Sequence, residues 1–249
     1  MRYALYYSPA PSSLFWELGC KWLGRDPLTQ KKIVQDHFSG VNPDRLYELT
    51  KTAGRYGLHA TLKAPFRMAP LSSESNLRSD LNVFSRRYSS FLAPPLELRQ
   101  IDDFFCLCPQ VPSVQLNSLA DDCVRTFDEY RAPLTRIELA RRRAEILTTE
   151  EKKHLSTWGY PYVMDQFRFH ITLTGRISDA YEKIVIRAML SQIFEPVIGK
   201  PFLIEAVSLF IEPALGQPFI YSERYPLNDL ERIVSQNPVK VFEPTIVTA

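Results

Sequence analysis

Two tetrapeptides carry most of the chemical information in this chain: His59-Ala60-Thr61-Leu62 and His170-Ile171-Thr172-Leu173. Both read H-x-T-L, and with only four histidines in 249 residues a duplicated frame is poorly explained by coincidence. Histidine, with an ordinary pKa of about 6.5, gains or loses a proton near neutrality, so two of them can serve as acid and base together. On a strand, residues i and i+2 share a face. His59, Thr61, Lys63 and Arg67 then stand opposite the apolar Leu58, Ala60, Leu62, Ala64 and Phe66. In the second segment Arg168, His170, Thr172, Thr174 and Arg176 stand opposite Phe167, Phe169, Ile171 and Leu173. Each histidine is expected to share a face with hydroxyls and cations, which are the donors that hold phosphate oxygens and stabilise charge developing at phosphorus. This is phosphodiester chemistry by proton transfer, without a metal.

The elements that must position these residues follow from hydropathic spacing. Residues 2–8 read as a strand stopped by Pro9 and Pro11, and 12–24 as a helix with Leu14, Leu18 and Trp22 on one stripe. Asn42-Pro43 caps a short helix through Leu49, and 58–66 alternates as a strand. Residues 73–92 predict an amphipathic helix through Leu77, Leu81, Phe84, Tyr88 and Phe91, ended by Pro94 and Pro95. Segment 96–109 reads as one long strand or a hairpin, and 113–130 as a helix. A charged stretch at 135–146 precedes a Thr148-x-x-Glu151 capping box, which opens a helix running to Trp158. Strands at 167–177, 202–212 and 218–226 and a helix at 179–194 complete the pattern. Strand, helix and strand thus follow each histidine, and no Gly/Ser linker separates the halves. The expectation is a single bilobal domain over 1–249 with an internal repeat: an α+β fold of two pseudo-symmetric lobes, each with an antiparallel β-sheet and outer helices, around a central cleft.

Composition narrows the partners. Thirty Lys+Arg against 28 Asp+Glu leave a formal charge of +2, too balanced for a chain that wraps duplex nucleic acid by bulk electrostatics. Hydrophobic residues make up 45%, enough for a core without disulfide staples. No apolar run reaches the length of a membrane span, and the N-terminal residues lack the apolar core of a signal peptide. Cys20, Cys106, Cys108 and Cys123 follow no metal-ligand frame and read as reduced structural thiols of a cytoplasmic protein. His37 and His154 read as surface residues, and the Arg141–Arg143 run as a solvated connector. Neither a cofactor nor an obligate metal is expected.

Paired H-x-T-hydrophobic strands in a chain of this length resemble the 2H phosphoesterase superfamily. The segments RYALYYSP, WLGRD (22–26), RYGLHATLKAPF (55–66), FDEYRAPLTRIELARRR (127–143), WGYPYV (158–163) and FRFHITLTGRI (167–177) are similar to its branch encoded in phosphonate-utilisation operons. The resemblance implies two lobes meeting at a cleft, with His59 and His170 as the catalytic pair and Thr61 and Thr172 as phosphate-contacting hydroxyls. Lys63, Arg168 and Thr174 are further phosphate-binding candidates. Arg55 and Tyr56, just before the first motif, are candidates for the cleft rim, and Tyr6 or Tyr3 on the first strand are candidate stacking surfaces for a ring. The expected activity is a metal-independent cyclic phosphodiesterase acting on a small ribose cyclic phosphate of phosphonate catabolism. The alternatives are RNA ends bearing 2′,3′-cyclic phosphate as substrate, or a non-catalytic module that binds a phosphometabolite.

Overall fold

The computed structural model describes residues 1–36, 40–143 and 146–228. The chain opens with β1 (Arg2–Tyr7), α1 (Leu14–Leu23), α2 (Pro43–Tyr56) and β2 (Ala60–Phe66). It continues with α3 (Glu74–Ser85), β3 (Phe91–Ala93), β4 (Leu96–Ile101), β5 (Phe104–Pro109) and α4 (Val114–Thr126). The second half holds α5 (Arg136–Arg143), α6 (Thr149–Trp158), β6 (Ile171–Thr172), α7 (Ala180–Ile193), β7 (Phe202–Ile204), β8 (Ala206–Glu212) and β9 (Ile220–Pro226).

Local signals explain most of these boundaries. Ser13, Asn42, Ser73, Ser113 and Asp179 each accept a hydrogen bond from a first-turn backbone N–H of the helix that follows. Thr148 and Glu151 form the predicted capping box, and α6 ends on Gly159 in the left-handed region. Three segments differ from the periodic reading. The helix begun at Pro43 runs on to Tyr56, because Leu49 and Ala53 continue its buried stripe. Helix α3 ends at Ser85: Tyr88 folds back to pack its ring 4.8 Å from Phe84 and donates its hydroxyl to Asp122, and Phe91 enters β3. Segment 96–109 is a hairpin, turning at Asp102 with φ 48°.

Seven strands form one antiparallel sheet in the order β4-β5-β6-β2-β1-β8-β9, and β3 and β7 pair as a separate ribbon. The α+β class and antiparallel pairing match expectation. The two halves share this sheet, their histidine segments meeting side by side at its middle through β2 and β6. One face lies over a core that draws Leu5 and Leu62 from the first half and Leu107, Ile171 and Leu190 from the second. The other face carries a smaller cluster of Tyr6, Trp16, Phe210, Phe219 and Tyr221.

Only Ile171–Thr172 of the predicted 167–177 strand joins the ladder. Beyond it the chain stays tied to β5 irregularly, Leu173 N–H donating to Phe105 O and Ile177 N–H to Asp103 O. No helix among the described residues is long and apolar enough to cross a membrane. All four cysteines are buried and unbridged.

Candidate active site

The pairing of β2 with β6 builds the site. Ala60 lies opposite Ile171 in this antiparallel pair, and both side chains are buried in the main core. Continuing the register one residue each way sets His59 across from Thr172 and Thr61 across from His170, all four on the face away from that core. Directly opposed residues have Cβ atoms about 4.5–5.5 Å apart and diagonal ones about 7–8 Å. The two imidazoles occupy one diagonal and the two hydroxyls the other; of the four, Thr61 and His170 line a cavity.

Backbone carbonyls fix both rings in the same way. His59 Nδ1 lies 2.9 Å from Gly57 O, and His170 Nδ1 lies 2.8 Å from Arg168 O, in each case the carbonyl two residues earlier. A carbonyl only accepts, so each Nδ1 carries the proton and each Nε2 is left for chemistry. For His59 this depends on Gly57, whose φ of 82° ends α2 and turns the chain into β2.

The surroundings of the two rings differ. His59 is sandwiched by Tyr6, with ring centroids 4.0 Å apart, and Tyr56 at 5.6 Å. Tyr56 in turn stacks on Phe219 at 4.9 Å and lies under the Arg55 guanidinium. Burial pushes the His59 pKa from 6.5 down to about 4; the charge of His170 acts in the same direction and the Gly57 carbonyl opposes both. His170 is half-buried and lines, with Thr61 and Arg168, a cavity of about 350 Å³. Phe104, Tyr160, Tyr162, Gln166, Asp102 and Glu151 complete much of its wall.

Not every predicted residue reaches this space. Lys63 turns to the opposite face. The register runs Tyr6↔Thr61 and then Leu5↔Lys63, so Leu62 is an extra residue in β2, and this bulge breaks the i, i+2 alternation read from the sequence. Lys63 is 3% exposed, donates to Val124 O and Asp128 at 3.1 Å each, and thereby ties β2 to the end of α4. Thr174 is buried and its Oγ1 accepts from Phe105 N–H at 2.9 Å. Tyr6 is fully buried, offering its ring to His59. Arg55, placed at the rim, is paired with Glu212, a fully buried carboxylate that also binds Arg2. His154, read as a surface residue, is 8% exposed and bonded to Asp165 at 2.6 Å. His37 and the side chains of Arg141–Arg143 lie outside the described residues.

The sequence reading missed Phe104, Asp102, Glu151 and Gln166 as cavity residues. Glu151 was visible only as a capping residue, and the others carried no motif. Among the described residues there is no cluster of three or more His, Cys, Asp or Glu able to hold a metal ion.

Residues 61–220 match the family model described as "Protein of unknown function (DUF1045)". The chain is 36% identical over 211 residues to a ribose 1,5-bisphosphate phosphokinase PhnN of Janthinobacterium sp. (strain Marseille), covering 84% of this chain and 47% of the relative. It is 36% identical over 184 residues to the protein of the same name from Laribacter hongkongensis (strain HLHK9), covering 72% and 41%. The chain therefore spans less than half the length of these curated relatives. Two solved structures align at 14% identity: a phosphoesterase with a TM-score of 0.39, over 91% of this chain and 98% of the other, and E. coli LigT complexed with 3'-AMP with a TM-score of 0.37, over 91% and 97%.

Proposed function

The chain belongs to the DUF1045 family, and from that premise we propose that it is a metal-independent cyclic phosphodiesterase acting on a small ribose cyclic phosphate. The observation that carries this reading is the central register, which sets His59 against Thr172 and Thr61 against His170 with both Nδ1 atoms held by carbonyls. Burial keeps His59 neutral at pH 7, so its Nε2 is the base, and His170 is left the part of the acid. A water attacks phosphorus as His59 Nε2 takes its proton, and His170 Nε2–H gives a proton to the departing ribose oxygen, leaving a phosphomonoester. Thr61 and Thr172 donate to the nonbridging oxygens, and Arg168 supplies positive charge at the cavity wall. The bound phosphate anion would raise the pKa of His59 from its low resting value, which makes it a stronger base when substrate is present.

Ribose as the organic part is supported by the name of the curated relatives and by the resemblance to the phosphonate-operon branch. Phe104, Tyr160 and Tyr162 on the cavity wall favour a second substrate reading, an RNA end or nucleotide whose base stacks there. Chelator-treated protein assayed on ribose cyclic phosphates, cyclic nucleotides and oligoribonucleotide ends, with phosphorus NMR following ring opening, separates these readings. Full turnover after chelation is expected, with His59→Ala and His170→Ala each losing at least about 10²-fold in kcat while staying folded. Loss of activity on chelation and its return with zinc would reject the mechanism. Binding with no turnover of any of these substrates would leave the non-catalytic module.

A further inference from the structure

The rows of the sheet that hold the histidines continue onto β5, where they meet two thiols, and on to Arg99 and Glu97 of β4. Thr172 pairs with Cys106 and Ile171 with Leu107. One more step of that register sets His170 against Cys108. Leu107 points into the main core and is fully buried, so Cys106 and Cys108 lie on the site face, each beside one member of the proposed machinery. Their sulfurs are 3.4 Å apart, and the Cys106 thiol also has the Arg99 carbonyl in reach at 3.7 Å. Cys108 borders a second cavity, shared with Arg99, Phe167, Arg168 and Phe169, through which a small solute can approach it.

We propose that Cys106 and Cys108 form a redox-active dithiol that small hydroperoxides oxidise to an intrachain disulfide, and that this oxidation weakens the adjacent site. Cys108, the thiol on the cavity, attacks the peroxide oxygen as its thiolate, giving a sulfenic acid and releasing water or an alcohol. Cys106 then attacks that sulfur, forming the S–S bond and expelling hydroxide, which leaves as water with the remaining thiol proton. Overall, two thiols and one hydroperoxide give one disulfide, one alcohol or water, and one water. The hydrogen bond from the Cys106 thiol favours the Cys108 thiolate, burial opposes it, and the Arg99 guanidinium adds a favourable charge that Glu97 counters.

Geometry links the bond to the site. In a strand, Cα atoms two residues apart lie about 6.6–6.8 Å from one another, at the upper end of the roughly 4.4–6.8 Å that a disulfide spans. Closing the sulfurs from 3.4 Å to a bond therefore draws β5 together at Leu107, the residue paired with Ile171 between His170 and Thr172. Only this effect on turnover rests on the phosphodiesterase reading; formation of the disulfide does not.

The full chain, reduced and then treated with stoichiometric hydrogen peroxide, tests both parts. Thiol titration in denaturant should fall from four to two per chain. Alkylation with tandem mass spectrometry should find Cys106 and Cys108 protected and Cys20 and Cys123 free. Turnover should fall at least about fivefold and return with dithiothreitol, whereas Cys106→Ser and Cys108→Ser keep their activity through the same treatment. Sulfinic acid at Cys108 without a disulfide, or four unchanged thiols, would overturn the dithiol. A disulfide that leaves turnover unchanged would overturn its effect on the site. Should reduced protein turn over none of the cyclic phosphates, the functional reading fails, and the thiol count still decides the dithiol.

Discussion

Removing the Tyr56 ring beside His59 is the most direct probe of how this site would set its proposed base. The fall of the imidazole pKa from 6.5 to about 4 corresponds to roughly 3 kcal/mol in favour of the neutral ring. Its first cause is burial, with Tyr6 beneath at 4.0 Å and Tyr56 above at 5.6 Å. Tyr6 belongs to the inner cluster and cannot be removed without opening the core, whereas Tyr56 is half-buried. In Tyr56→Ala water reaches the ring, so its pKa should climb from about 4 toward 6.5. A proton NMR titration of the free protein reads this without substrate: His59 should titrate near 4 in the natural protein and at least one unit higher in the variant. The acid limb of kcat/KM reports the same group in the free enzyme and should move with it. Stability gives a third reading. Between pH 6.5 and 4 the unfolded chain binds a proton at this residue that the folded chain refuses. The natural protein should therefore lose up to about 3 kcal/mol as pH falls through that window, and Tyr56→Ala less. A natural His59 that titrates near 6.5, or a variant that leaves it unmoved, would refute the argument.

Thr61→Val and Thr172→Val keep shape and β-propensity while deleting one donor each; kcat should fall about 10–10³-fold with the melting temperature nearly unchanged. Lys63→Met should do the reverse: Asp128 keeps Arg131 as a partner but loses the buried ammonium, so stability drops by about 1–3 kcal/mol while kcat of the folded fraction holds, as chemical denaturation and steady-state assays would show. Thr174→Val should likewise cost about 1–3 kcal/mol through the orphaned Phe105 N–H and leave KM unchanged.

Much of this site was legible because the residues involved obey short-range rules. The H-x-T frame puts histidine and threonine on one face of any extended segment, and that holds for both copies wherever they pair. Lys63 failed by the same logic: the bulge at Leu62 is set by how β1 docks on β2, and nothing in the periodicity of 58–66 announces it. Tyr88 and Phe91 kept helical spacing after Ser85 because both are apolar contacts of one core, reached by a turn and a strand instead of a helix. The capping box was read correctly since both of its hydrogen bonds lie within four residues. His154 was misread because its partner, Asp165, comes from the turn after α6, and a polar neighbourhood in sequence says little about burial in space.

Among the described residues no carboxylate is hydrogen-bonded to either catalytic candidate; an uncharged peptide oxygen stands behind each ring. No carboxylate bonded to a ring offsets its positive charge, and a charge on His170 works against one on His59. On the proposed mechanism the pair would work as a one-proton relay: hydrolysis would leave that proton on the opposite ring from where it began, and solvent would return it before the next cycle. Run backward, ring closure would start from the state that hydrolysis leaves behind, so the same matched anchoring serves either direction of the reaction.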